Sequence, residues 1–346
     1  MKQTDVRYDP FRAERGHLLR ATPKMRFDGG ETAAAWQERA RGVLGELLGL
    51  SKIKRAEEEF TIEYDRTEDT PAGHVREIRF LIQSEKGYFV PTVLWIPHDR
   101  PVPMPVCICL QGHSTGKHIS LGRPIYPRDV QSISEGDRDF AIRAAKEGFA
   151  TLCIEQRCMG ECGSKEDGGP DCTNTALTAI LTGRTLLGER VWDISRVIDS
   201  LYHFPELDGK RILCMGNSGG GTATVYAAAM DTRITAAMPS CAVCRFDESI
   251  GAMSHCACNY VPYIANFFDM GDLIALIAPR PLVVVSGEED PIFPLEGAVD
   301  AVSEARRVYG SMGAAARLSH VVGKGGHRFY ADDAWPVMQT LWSTLE

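Results

Sequence analysis

The 346-residue chain contains no apolar run approaching the roughly 20 residues that cross a bilayer. Its first 20 residues are crowded with charge and hold no apolar core of a secretion signal, so a cytoplasmic, non-membrane protein is expected. Clusters of Lys and Arg are missing too. Basic residues are dispersed among acidic ones and the net charge is −8, which excludes the electrostatic footprint that nucleic acid or an anionic membrane demands. There is no internal repeat and no low-complexity tract, so neither a solenoid nor linker-joined modules are expected. No Gly-x-Gly-x-x-Gly follows a first strand and no P-loop lysine follows a glycine run, and no cofactor is expected. The eleven cysteines, an odd number without an export signal, read as reduced thiols.

What is present is the composition of a packed globular protein, 44% hydrophobic and 24% charged. Residues 33–50 carry Trp36, Ala40, Val43, Leu44, Leu47 and Leu48 at helical steps, predicting an amphipathic helix. Three alternating runs at 60–64, 75–83 and 88–96 predict an antiparallel meander. From residue 105 the pattern changes to short apolar runs at 106–110, 150–154, 211–215, 236–239, 281–286 and 316–322. Helical segments at 137–146, 187–202, 220–229 and 296–309 alternate with them, and a last helix lies near 335–345. This predicts an α/β fold: a mostly parallel, doubly wound sheet with helices on both faces. Residues 1–85 would form a helical and meander extension, and 86–346 the main domain, with ligands gathered at the carboxyl ends of the parallel strands.

The run at 211–215 ends in Gly216-Asn217-Ser218-Gly219-Gly220 and enters an Ala-rich helix. A Gly-x-Ser-x-Gly between strand and helix is a nucleophile elbow, whose tight turn leaves no room for side chains at the glycines. A serine hydroxyl needs a base and a group that orients the base. In folds with this elbow the acid follows the serine and the histidine follows the acid. Asp290, in Gly287-Glu288-Glu289-Asp290-Pro291, is the preferred acid, with Glu289 and Glu288 as rivals on the same loop. His327, in Gly325-Gly326-His327, is preferred over His113, His118, His203, His255 and His320 because it alone lies in the loop after the last strand. The backbone N–H of Gly219 and that of His113, in the loop after 106–110, are the expected oxyanion donors.

These segments resemble the acetyl xylan esterase-like and dienelactone hydrolase-like branch of the α/β-hydrolases. The resemblance rests on Leu110-Gln111-Gly112-His113 through Lys117, Glu155-Gln156-Arg157 with Gly160, Gly216 through Thr222, Cys256-Ala257-Cys258-Asn259-Tyr260, Ile277-Ala278-Pro279-Arg280-Pro281 and Gly326-His327. It implies a carboxylesterase that deacetylates acylated carbohydrates, with Ser218, Asp290 and His327 matching the triad. A peptidase or lactone hydrolase with the same machinery, and a non-catalytic binding protein of this fold, are the alternatives. The branch's usual Asp-x-Arg-Gly is Glu155-Gln156-Arg157-Cys158 here, and Glu155 and Arg157 are expected to pair with each other as a buried brace.

Segment 245–269 lies where this fold inserts caps, and Tyr260, Tyr263 and Phe267 are expected as pocket walls. Cys241, Cys244, Cys256 and Cys258 are read as buried thiols lining that segment rather than as zinc ligands, because the second pair is Cys-x-Cys. No metal is expected, and the partner expected is a small ester substrate. The helix at 187–202 is expected to face the core with Val191, Ile194, Val197, Ile198 and Leu201 and to carry its charges on a salt-bridged outer face.

Overall fold

The computed structural model describes residues 6–345. Helices α1 (Pro10–Arg20) and α2 (Ala33–Leu48) precede the meander β1 (Phe60–Thr70), β2 (Gly73–Glu85) and β3 (Tyr88–Pro97). Next come β4 (Met104–Leu110), α3 (Pro127–Ser134), α4 (Phe140–Lys146), β5 (Ala150–Ile154), α5 (Thr173–Leu181), α6 (Leu186–Asp199) and β6 (Leu207–Asn217). The chain closes with α7 (Gly219–Met230), β7 (Ala236–Ser240), α8 (Met270–Ala275), β8 (Leu282–Gly287), α9 (Leu295–Ser311), β9 (Leu318–Gly323) and α10 (Ala331–Trp342).

One nine-stranded sheet results, in the order β1-β2-β3-β5-β4-β6-β7-β8-β9. The first three strands pair antiparallel and β3 pairs antiparallel with β5, so the N-terminal extension is hydrogen-bonded into the sheet. All later pairings are parallel. Strand alternation splits the core in two: Val106, Ile108 and Leu110 of β4 join α2, α6, α7, α8 and α9 on one face, while Cys107 and Cys109 join α4 and α10 on the other. Helix α2 is started by the Thr32 hydroxyl, which accepts from the Ala35 N–H, and stopped by Gly49 at φ 74°.

Local chemistry moves several element boundaries from the expected positions. The helix expected from residue 137 starts at Phe140, because Asp137 turns left-handed at φ 50°. The last strand starts at Leu318, after a single 3₁₀ turn, Ala315–Arg317. The short helices α3, α5 and α8 have no long apolar period and were not anticipated.

Two expectations about buried charge are corrected. Glu155 and Arg157 do not pair with each other. Arg157 contacts Asp193 at 2.7 Å, Glu85 at 2.8 Å and Glu189 at 2.9 Å, with its guanidinium 4.0 Å from the Tyr88 ring centroid. Glu155 instead accepts the Lys117 N–H at 3.1 Å and lies 3.6 Å from the Lys117 ammonium. Only part of the charge on α6 lies on a salt-bridged outer side: Arg196 and Asp199 pair there, half-buried, whereas Glu189, Arg190 and Asp193 are buried. The helix is enclosed by β2, α2, α7 and the 257–259 turn, and the Arg157 charge compensates its acids from across the interface.

A second buried carboxylate ties the meander to the main sheet. Glu77 of β2 is fully buried and accepts from the Trp95 indole at 2.6 Å, from Arg123 at 2.6 Å, and from the Tyr64 hydroxyl and Arg66 at 2.8 Å. Burial alone would raise its pKa, but the hydrogen bonds from Arg123, Trp95 and Tyr64 outweigh that and bring it down to about 2. A carboxyl depressed in the folded state stabilises the fold above its unfolded pKa and loses that contribution as pH falls through the folded one. Glu77→Gln should therefore lower stability at neutral pH by about 2 kcal/mol. Urea melts of the variant should also lose stability less steeply than wild type between pH 4.5 and pH 2.

Candidate active site

The site begins where β6 ends. Ser218 has φ 58° and ψ −126°, a strained conformation for a residue with a side chain, and is held there from both sides. Its N–H donates to the Ser240 carbonyl at 2.8 Å, and its carbonyl accepts the Thr222 N–H at 2.8 Å in the first turn of α7. A Cβ on Gly216 would lie 2.5 Å from the Gly220 carbonyl carbon, and one on Gly220 would lie 2.1 Å from the Leu110 oxygen. The elbow glycines are thus a steric requirement. Gly219 opens α7, where backbone N–H groups have no partner inside the helix.

The acid and histidine loops cross beside this turn. The Glu288 and Glu289 N–H groups donate to the Gly323 and Gly325 carbonyls at 2.9 and 2.8 Å, joining the loop after β8 to the loop after β9. Glu288 and Glu289 are exposed while Asp290 is buried, which separates the three candidate acids. One Asp290 oxygen accepts from the N–H groups of Ile292 and Phe293 at 2.8 and 3.1 Å, and the other is 2.8 Å from His327 Nδ1. Burial would raise the Asp290 pKa, yet the His327 hydrogen bond and charge, with the two N–H groups, hold it below the ordinary carboxylate range. The histidine loop also reaches the elbow through Ser240, whose hydroxyl donates to the Arg328 carbonyl at 3.4 Å while its own carbonyl holds Ser218. His118, His203 and His320 are engaged elsewhere, with Asp129, Glu58 and Ser286 respectively.

The loop after β4 passes directly over the serine. A Cβ on Gly112 would lie 2.6 Å from the Asn217 oxygen and 2.9 Å from Ser218 Cβ, and one on Gly219 would lie 2.8 Å from the His113 ring. Gln111 anchors the loop by donating its amide to Ser120 at 2.8 Å and to the Arg138 carbonyl at 2.7 Å. Beside the loop is a cavity of about 180 Å³ lined by His113, Ser114, Thr115, Arg128, Asp129 and Arg138, among others.

Other residues fall differently from expectation. Tyr260 and Tyr263 are exposed, the first donating its hydroxyl to the Ile250 carbonyl at 3.1 Å. Phe267 packs on Tyr263 and carries the Lys24 ammonium 5.3 Å from its ring centroid, so it meets the N-terminal segment. The four cysteines read together do not form one group. Cys241 donates to the Arg328 carbonyl at 3.1 Å and lies within 4.8 Å of Asp290 and His327, and burial with the nearby Asp290 charge pushes its thiol up to about 12. Cys244 packs against Gly297. Cys256 and Cys258 instead join Cys172 and His113. Two further neighbours had no sequence signal: Phe293 stacks on His327 with centroids 5.9 Å apart, and His255 meets the edge of Phe293 at 5.5 Å.

A parallel sheet with an antiparallel leading edge and helices on both faces, carrying a strained serine between β6 and α7, defines the α/β-hydrolase fold. The chain belongs to the Abhydrolase family, whose model matches residues 18–311. It is 30% identical over 210 residues to YtaP of Bacillus subtilis (strain 168), a candidate hydrolase, covering 58% of this chain and 69% of that protein. The crystal structure of a candidate acetyl xylan esterase from Bacteroides fragilis NCTC 9343 matches with a TM-score of 0.77 at 17% identity, covering 91% of this chain and 82% of the other. A glucuronoyl esterase from Teredinibacter turnerae T7901 matches with a TM-score of 0.67 at 17% identity, covering 95% and 90%. At these identities the structural likenesses establish the fold. Among the described residues no helix is long and apolar enough to cross a membrane.

The steric account of the elbow has a direct check. Gly220→Ala drives a Cβ into the Leu110 carbonyl and should cost about 1–3 kcal/mol in urea unfolding. Gly209→Ala, in β6 and with nothing within 4 Å of its Cβ, should stay within about 0.5 kcal/mol of wild type.

Proposed function

We propose that the protein is a serine carboxylesterase that removes small acyl groups, acetyl foremost, from carbohydrate esters. The hydrogen bond of 2.8 Å between His327 Nδ1 and buried Asp290 carries this reading, because it sets the tautomer that leaves Nε2 as a base for the Ser218 hydroxyl. In the first step Ser218 Oγ attacks the ester carbonyl while His327 takes the hydroxyl proton. Asp290 stabilises the imidazolium, and the N–H groups of Gly219 and His113 receive the charge on the carbonyl oxygen. His327 then returns the proton to the departing alcohol. Water, deprotonated by the same imidazole, clears the acyl-enzyme.

The cavity beside the loop after β4 supports a polyhydroxylated alcohol portion. Its lining is rich in hydrogen-bonding groups, among them those of His113, Ser114, Thr115, Arg128, Asp129 and Arg138. Sugar hydroxyls satisfy such groups, whereas a plain alkyl alcohol leaves them bare. The candidate acetyl xylan esterase and the glucuronoyl esterase that share the fold accord with a carbohydrate ester.

Purified protein should release acetate from both 4-nitrophenyl acetate and acetylated xylo-oligosaccharides. Ser218→Ala should lower kcat by at least about 1000-fold on both, and Asp290→Asn by about 10,000-fold with the fold retained. Arg138→Ala should raise KM for the sugar acetate and leave that for the nitrophenyl ester within about twofold. Full activity in Ser218→Ala, or inertness of the wild type on every ester, overturns the reading.

A further inference from the structure

Three cysteines and a histidine from distant parts of the chain converge beside the nucleophile elbow. Cys172 precedes α5, Cys256 and Cys258 lie in the excursion between β7 and α8, and His113 lies in the loop after β4. Their three sulfurs and one imidazole nitrogen all lie within 4.8 Å of one another. Cys258 Sγ is 3.0 Å from His113 Nε2 and 3.5 Å from Cys256 Sγ. In a tetrahedral zinc site, Zn–S bonds of about 2.3 Å and Zn–N bonds of about 2.1 Å place neighbouring sulfurs about 3.8 Å apart and sulfur and nitrogen about 3.6 Å apart, so side-chain shifts of at most about one ångström bring the four atoms onto one ion.

A second observation is independent of this spacing. Arg190 of α6 is buried, donates to Cys258 Sγ at 3.2 Å and Cys172 Sγ at 3.3 Å, and gives its remaining bond to the Arg157 carbonyl at 2.8 Å. Among the described residues it has no carboxylate partner, unlike the neighbouring Arg157. A buried guanidinium needs an anion close by, and neutral thiols do not supply one. Three bare thiolates would oversupply it in a wall otherwise made of Cys158, Ala176 and Leu186. Three thiolates, one neutral imidazole and one divalent cation sum to −1, which the Arg190 charge balances. With the metal in place the thiolates, the imidazole, the ion and Arg190 together leave the pocket neutral.

We propose that His113 Nε2 and the thiolates of Cys172, Cys256 and Cys258 bind one Zn²⁺ ion, which pins the loop after β4 against the nucleophile elbow. Soft sulfur donors with one imidazole in a tetrahedral set select zinc over magnesium or calcium. Binding exchanges three thiol protons for the ion, with no change of oxidation state. Four protein ligands close the coordination shell, so the ion is structural and stands outside the acyl-transfer step. Its effect runs through His113, whose ring rests on Gly219 and whose neighbour Gly112 lies against the serine. The proposal rests on coordination geometry and charge, and holds whether or not the esterase reading does.

The full chain, produced in zinc-supplemented medium and dialysed, should contain about one zinc per chain by elemental analysis. Substitution with Co²⁺ should give the intense visible d–d bands of tetrahedral cobalt and a near-ultraviolet thiolate-to-cobalt charge-transfer band. Cys256→Ser and Cys258→Ser should each weaken zinc binding at least about tenfold, while Cys244→Ala, outside the cluster, keeps the full zinc content. The cobalt spectrum of the wild type decides the matter even if a ligand variant misfolds. Less than about 0.1 zinc per chain with no tetrahedral cobalt spectrum, equal zinc loss in Cys244→Ala, or a Cys256–Cys258 disulfide in non-reducing peptide maps overturns the proposal.

Discussion

The rest of the molecule depends on a place where backbone meets backbone. The end of β4, the end of β6 and the start of α7 approach so closely that the Leu110 carbonyl occupies the space where side chains on Gly216 and Gly220 would begin. Gly112 makes the reciprocal approach to Asn217 and Ser218. With those three positions bare, the serine can be forced to positive φ at a cost of roughly 1–3 kcal/mol and held by the Ser240 carbonyl below and the first turn of α7 above. Each loop that supplies chemistry is then referred to this point: the loop after β4 by contact, and the loop after β9 through Ser240.

Buried charge follows a consistent rule in the structure. Glu77 and Arg157 are removed from water and surrounded by donors or counter-charges reaching in from other elements, while buried Asp290 joins two N–H groups of its own loop to His327 from the next. The partners of Glu77 and Arg157 are contributed across interfaces rather than along one element, so these groups fix how layers sit on one another as much as how stable they are. Arg190 departs from the rule only if its thiol partners are counted as neutral.

Features encoded locally were legible in the sequence. The glycine pattern of the elbow and the strand–helix alternation are properties of short stretches, and the candidates Ser218, Asp290 and His327 can be picked out from their places in that pattern. Asp290 could not be separated from Glu289 by chemistry alone; burial and the Ile292 and Phe293 N–H groups make the distinction. Long-range contacts were not legible. Nothing near Arg157 announces Asp193 or Glu85, and nothing near Cys258 announces Cys172. The hydrophobic period of α6 was visible, yet part of its charged side faces more protein instead of water, which periodicity cannot report. The stacking of Phe293 on His327 likewise depends on two loops meeting.

The N-terminal meander carries a consequence for how the chain can be divided. Through Glu77 it grips Arg123 in the loop after β4, and through Glu85 it grips Arg157 in the loop after β5. Both loops leave the carboxyl ends of parallel strands. Strand β2 is therefore tied to the loops at the carboxyl ends of β4 and β5 through these two carboxylates. A shortened chain starting at β3 would keep every residue of the Ser218, Asp290 and His327 set while stripping half-buried Arg123 of Glu68 and Glu77 and removing one of the three acids around buried Arg157. Recombining this sheet with a foreign leading edge requires transplanting Glu77 and Glu85 with it.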